Sequence, residues 1–398
     1  MTPRDGVDVT PLNTPRDGLP PVTHDDIEEA VSKLAAGHGP IAVDTERAMG
    51  IRYSNRAYLI QLRRAGAGTF LIDPIGIEDR LEGLAKVMEC EWILHAADQD
   101  LPCLHELGLY PTKVFDTEIA ALLLGFEKVS LQAITAEVLG IGLAKEYSNS
   151  DWSARPLAPE LLTYAALDVE LLDELKNELV IMLKDAGRLE WCEQECEEVR
   201  LRKPKPPKAQ PWRKISHQIG IKDRRALGML RELWIARDKL ARRRDVGMQG
   251  VLPSKVLGEL AARKPRSRAD VVNSTLLRSR ERQRDVNTWW HAIERAWKLD
   301  ESSLPERRFS EAKDPFPPIK HWASHDQDAA DRWEKVRGSV LTHADELGIR
   351  QDLLLKPSLQ KLIAWEGWTD QQDFAAKLES WGARPWQIDQ VRRAVFGR

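Results

Sequence analysis

From Asp25 onward the chain carries two kinds of apolar pattern. Residues 41–43, 58–62, 69–72 and 92–94 are short apolar runs set between polar or glycine-bearing stretches, the length and composition of β-strands. A helical period covers residues 25–36. After Asp100 the apolar spacing lengthens to three and four, which predicts helices over residues 101–107, 117–124, 131–139 and 159–198. Strands first and helices afterwards is the order of an α/β domain whose helices pack on a sheet. The longest apolar run, residues 119–125, falls far short of the roughly 18 residues a membrane span needs and reads as a buried helix.

The pattern stops at two places. Residues 202–211, Arg-Lys-Pro-Lys-Pro-Pro-Lys-Ala-Gln-Pro, combine prolines that cannot continue a helix with like charges that repel, so an extended linker is expected there. Beyond it every periodic segment is helical, and a polar, proline-bearing break around residues 302–318 divides this part in two. At the other end Thr-Pro-Arg-Asp-Gly occurs twice, at Thr2 to Gly6 and Thr14 to Gly18, among further prolines. The expected division is a flexible tail at 1–24, an α/β domain at 25–200, a linker at 201–212, a helical domain at 213–300, a second linker at 301–325 and a helical domain at 326–398.

Composition changes the picture through the distribution of charge. The total of -3 comes from 59 basic and 62 acidic residues in 398. Residues 200–268 hold 21 Lys and Arg against 5 Asp and Glu, a local charge of +16, which leaves -19 on the remainder. Acids are too few there to neutralise the bases by internal pairing, and the stretch reads as a surface for phosphates. Four cysteines, Cys90, Cys103, Cys192 and Cys196, are too scattered for a disulfide framework or a zinc site, so reduced thiols are expected. The N-terminus lacks a secretory pattern and neither end has a lipidation motif, which points to a cytoplasmic address.

The chemistry is expected from carboxylates. Asp44 and Glu46 stand two apart directly after an apolar strand, so their side chains share a face and repel unless a hard cation lies between them. Two acids follow the strand at 92–94. Asp98 is placed to cap the next helix, whereas Asp100, beside Leu101, can face the sheet. Tyr164 and Asp168 lie one helical turn apart on one face.

Together these segments resemble the three exonuclease motifs of the ribonuclease D family: Val-Asp44-Thr-Glu46, His-Ala-Ala-Asp-Gln-Asp100-Leu and Tyr164-Ala-Ala-Leu-Asp168. Phe115-Asp-Thr-Glu-Ile-Ala-Ala-Leu-Leu-Leu-Gly125 and Ser150-Asp-Trp-Ser-Ala-Arg-Pro-Leu157 match the family in the same order. The resemblance covers residues 25–198. It implies a ribonuclease H-like α/β domain with a mixed sheet. It also implies Asp44, Glu46, Asp100 and Asp168 as ligands of two divalent ions, magnesium or manganese, with Tyr164 orienting the attacking water. It selects Asp100 over Asp98, makes Asp116 a helix cap, and leaves Trp152 and Arg155 as candidate substrate contacts. Residues 225–242, with 251–254 and 257–261, are similar to the helicase-and-ribonuclease-D C-terminal (HRDC) domain, although the family often has a proline where Val246-Gly247 follow Asp245. Residues 333–386 resemble a second copy. The activity this implies is removal of nucleoside 5′-monophosphates from RNA 3′ ends, precursor transfer RNA foremost, with no membrane and no obligate protein partner. A DNA exonuclease and a non-catalytic RNA-binding adaptor are the alternatives. Eleven of the 14 tryptophans lie from Trp212 onward, at a helical spacing that suits core packing better than base stacking.

Overall fold

The computed structural model describes residues 9–143, 150–204, 206–309 and 315–397. These form two compact units. One comprises the segments up to Glu46, from Ala57 to Pro204 and from Asp314 onward; the other comprises Arg47–Arg56 and Lys205–Lys313.

In the first unit the strands are β1 (Thr10–Leu12), β2 (Val22–Thr23), β3 (His38–Arg47), β4 (Ala57–Ala65), β5 (Gly68–Ile72), β6 (Glu91–Leu94), β7 (Lys113–Asp116) and β8 (Ile141–Leu143). The helices are α1 (Ile27–Ala36), α2 (Glu82–Val87), α3 (Leu101–Glu106), α4 (Thr117–Leu124), α5 (Leu131–Leu139), α6 (Pro159–Glu170), α7 (Leu172–Asp185) and α8 (Leu189–Leu201). Six strands make one sheet in the order β2-β5-β4-β3-β6-β7. It is mixed, with β3, β6 and β7 parallel and β4 antiparallel to β5. The four predicted strands and the helices over 117–124 and 131–139 stand where expected.

Three expectations fail for physical reasons. The first concerns the tail, which is structured from residue 10. Thr10–Leu12 pairs in parallel with β8, Val22–Thr23 pairs with β5, and Asp17 bonds Arg63 at 3.2 Å. Strands of three and two residues leave no periodic signal. The first Thr-Pro-Arg-Asp-Gly repeat, and Lys205 and residues 310–314 of the two expected linkers, lie outside the described residues. Second, the continuous helix over 159–198 is three helices. Gly187 turns left-handed (φ 66°) after α7, and Arg188 N–H closes back on Leu183 O at 2.8 Å. Third, Trp322, placed in a linker by its polar surroundings, is fully buried against Trp333 and Trp365, so the last helical domain begins earlier than residue 326.

That domain belongs to the same unit as the nuclease fold, and the two share one core. Arg384 pairs with the buried Glu195 of α8 at 2.6 Å, and the Trp386 indole donates to the same carboxylate at 2.8 Å. In the second unit the helix Arg224–Arg244 packs against Ser254–Arg263 and Val286–Trp297 around Leu230, Leu233, Leu257 and Trp289. No tryptophan in the chain is exposed; seven, among them Trp212, Trp289, Trp322 and Trp386, are buried core residues, and the other seven are half-buried.

Candidate active site

β3 delivers the first two acids. Ile41, Val43 and Thr45 are buried on one face, while Asp44 and Glu46 alternate with them onto the other face, which they share with the buried Ala42 and which is partly open at the two acids. α6 packs on β4 and β5 and delivers Asp168 and Tyr164. It is held by the buried Glu170, which faces Arg63 at 3.4 Å. Asp44, Glu46 and Asp168 each offer a carboxylate oxygen, and these oxygens lie within 4.8 Å of one another.

Asp100 is not one of these three converging carboxylates, although its charge acts on Asp44 and Asp168, and it is placed by another route. Asp116 caps α4 through the N–H groups of Glu118 and Ile119, as the family pattern implies, and also accepts from the N–H groups of Ala96 (3.1 Å) and Ala97 (2.7 Å). It thereby fixes the turn between β6 and α3, in which Ala96 is left-handed. Asp100 is buried at the start of α3 and accepts from Thr45 Oγ1 at 2.6 Å. The expectation for Asp98 is not met: the N-cap position of α3 is Asp100, and Asp98 is exposed and faces Arg202 at 3.6 Å. Thr45 is the positioning group that reading for acids passes over, and the part of Asp116 that was not expected is its hold on the turn at Ala96 and Ala97. Thr45 carries a signal only in hindsight of strand alternation, as the buried residue between two facing acids.

Electrostatically the cluster is frustrated. Burial, then the charges of Asp100, Asp168 and Glu46, raise the Asp44 carboxyl well above the usual carboxylate range. Asp168 is pushed up to about 7, mainly by burial and further by Asp100, against a hydrogen bond from the Tyr164 hydroxyl. Burial and the same acids hold the Tyr164 phenol protonated. Buried like charges at this spacing call for a cation, and a set of carboxylate oxygens suits a hard divalent ion. The residues therefore fit a divalent metal.

Neither expected substrate contact is available to a ligand. Arg155 donates to Asp73 (2.5 and 2.9 Å) and to the carbonyls of Trp152, Ala154 and Tyr58, which commits its donors to the fold. Trp152 is fully buried, its ring 6.3 Å from that of Tyr164. Both are packing residues.

Family models match the chain in three places: "3'-5' exonuclease" over residues 20–184, "HRDC domain" over 226–293 and "3' to 5' exonuclease C-terminal domain" over 315–397. The last stands where a second HRDC-like copy was expected. Ribonuclease D of Zymomonas mobilis is 33% identical over 67% of this chain and 70% of its own length. The chain belongs to the ribonuclease D family. It spans about two thirds of the length of the first relatives it matches. A crystallised protein from Bifidobacterium adolescentis is 33% identical and superposes with a TM-score of 0.88 over 97% of this chain and 98% of that one. Escherichia coli RNase D shares the fold, with 24% identity and a TM-score of 0.64 over 91% of this chain and 99% of that one. Membership of ribonuclease D makes the chain a 3′-5′ exoribonuclease that acts on RNA with a divalent metal. No described helix is long and apolar enough to cross a membrane.

Proposed function

We propose that Asp44, Glu46, Asp100 and Asp168 hold two divalent ions, magnesium or manganese, over the last phosphodiester of an RNA strand, and that precursor transfer RNA 3′ ends are the natural substrate. What carries the reading is the meeting of Asp44 and Glu46 from β3 with Asp168 from α6, with Tyr164 bonded to Asp168. Bound divalent ions supply charge that offsets the phosphate, acidify water and steady the departing 3′ oxygen.

The chain's own groups do the rest. Asp44 and Glu46, fixed on one strand, set the geometry at the scissile phosphate, and Asp100 is held in place by Thr45. Tyr164 stays protonated at neutral pH, so it orients water through its hydroxyl and does not remove a proton. Asp168 is the group whose ionisation near neutrality completes the ligand set.

The test is digestion of 3′-extended transfer RNA and of a sequence-matched DNA by wild type and by Asp44→Asn, with magnesium or manganese supplied separately. Mononucleotide release from RNA that needs the metal and falls by about a thousandfold or more in the variant is expected. Turnover near wild type in Asp44→Asn, or a preference for DNA, overturns the reading.

A further inference from the structure

Within the first unit, α8 lies between the nuclease sheet and the helical domain that begins after Asp314. Arg188, at the N-cap of α8, donates to Leu123 O of α4 and to Leu347 O of the C-terminal domain, both at 2.6 Å. Trp191 stacks on Trp386 with ring centroids 4.7 Å apart. The buried Glu195 accepts Arg384 on both carboxylate oxygens, at 2.6 and 2.7 Å, and the Trp386 indole N–H at 2.8 Å. Arg188, Trp191 and Glu195 recur at three and four residues, so one face of the helix is clamped to the C-terminal domain. The next residue, Cys196, is buried where α8 packs on β7.

β7 is the edge strand of the sheet. The N–H of its last residue, Asp116, has no further strand to bond and donates to Cys196 Sγ at 3.3 Å. The Asp116 carboxylate accepts the N–H groups of Ala96 and Ala97, and the Ala97 carbonyl accepts those of Asp100 at 3.2 Å and Leu101 at 3.0 Å. Ala96 stands in the left-handed region (φ 59°), which an alanine adopts only when its surroundings impose it. Asp100 then accepts the hydroxyl of Thr45, which stands between Asp44 and Glu46 on β3. Hydrogen bonds and one helix backbone thus join Arg384 to the acid that is not among the three converging carboxylates. Repulsion from Asp44 and Asp168 drives that acid away from the site, so its backbone has to be fixed from outside the cluster.

We propose that Glu195 and Cys196 are positioning residues for metal binding: clamped to the C-terminal domain through Glu195, α8 uses Cys196 to seat Asp116, and Asp116 sets the turn that presents the Asp100 carboxylate as a ligand. Groups that orient a metal ligand without touching the metal control its affinity about ten- to a hundredfold. This rests on the reading of four acids and two ions, and it gives the C-terminal domain a part in the chemistry.

Manganese binding to full-length protein without RNA is followed by electron paramagnetic resonance for wild type, Cys196→Ala, Cys196→Ser, Glu195→Gln, Asp100→Asn and the double variant Cys196→Ala with Asp100→Asn. Alanine removes the acceptor for the Asp116 N–H, and serine keeps one. Cys196→Ala and Glu195→Gln are expected to weaken one ion about tenfold and leave the other at its wild-type affinity, with Cys196→Ser within about twofold of wild type. Beside Asp100→Asn, Cys196→Ala should have no further effect, because the two changes act on one ligand. kcat on a short RNA should fall at low manganese and recover at saturating manganese, with KM for the RNA unchanged. Should Cys196→Ala fail to fold, Glu195→Gln, which keeps the side-chain volume, is carried through the same comparison. An unchanged affinity in either variant overturns the proposal. Equal weakening of both ions, or an effect that persists beside Asp100→Asn, overturns it too by marking a general loss of structure. A wild type that binds one ion or none strikes the two-ion reading instead.

Discussion

An ionised aspartate surrounded by three other acids is stable only if something offsets the repulsion. Without metal, the protein reduces it by keeping protons: Asp168 is raised to about 7 and Asp44 is raised as well. A carboxyl whose folded pKa lies above its unfolded value binds more protons in the native state. Its contribution to stability is therefore full below about pH 4 and is lost as pH rises toward 7. Metal-free protein should thus lose roughly 2 to 4 kcal/mol of stability from this group across that window. Magnesium or manganese should raise Tm at pH 8 more than at pH 5. Asp168→Asn removes the charge and keeps the shape, so its metal-free Tm at pH 8 should exceed that of wild type while the response to metal disappears. Thermal unfolding at the two pH values, with and without metal, measures both effects. A variant less stable than wild type at pH 8 would mean that the site is not electrostatically frustrated.

At the scale of elements, the turn before α6 shows how a family block can be conspicuous for reasons of folding. Arg155 binds Asp73 and three carbonyls, tying residues 152–155 to β4 and to the end of β5. Arg155→Ala leaves Asp73, a largely buried carboxylate, without this partner. The variant should lose about 2 to 3 kcal/mol in urea unfolding while KM for a short RNA stays at the wild-type value. A KM that rises without loss of stability would restore the substrate role. What the sequence made legible follows the same line. Strands β3 to β6 and helices α4 and α5 showed because their burial repeats over four residues or more, and the acids showed because each motif is local: two residues apart on a strand, four apart on a helix. β1, β2 and β8 are too short to repeat, and β7 did not show because its apolar run is only Val114-Phe115 between Lys113 and Asp116. The bond from Thr45 to Asp100 spans 55 positions, and the grip of Asp245 on Ser54 spans 191, so neither leaves any trace in a local pattern.

For the whole molecule, the decisive quantity is the separation of charge, +16 on residues 200–268 against -19 elsewhere. The acidic part suits a cation site and repels RNA, so the strand must be held by the basic part. Removing everything after residue 200 is a poor probe, because it also strips Arg384 and Trp386 from Glu195 and opens the nuclease core. Lys239 and Arg243 offer a cleaner one. They lie one turn apart and exposed on the helix Arg224–Arg244, where they line a cavity of about 470 Å³ with Thr288, His291 and Arg295. Each phosphate contact to a single strand contributes about 0.7 to the slope of log K against log salt, because binding releases condensed counterions. Lys239→Gln with Arg243→Gln should therefore reduce the slope by about 1.4 and weaken RNA binding most at low salt, with the two proteins converging as salt rises. Cleavage of a dinucleotide should not change, since the substitutions are remote in sequence from the acids that do the chemistry. Equilibrium binding of a single-stranded RNA to full-length protein over a range of potassium chloride concentrations reads the slope directly. An unaltered slope would show that this face of the helix does not meet phosphates, and the charge separation would then serve solubility and not substrate capture.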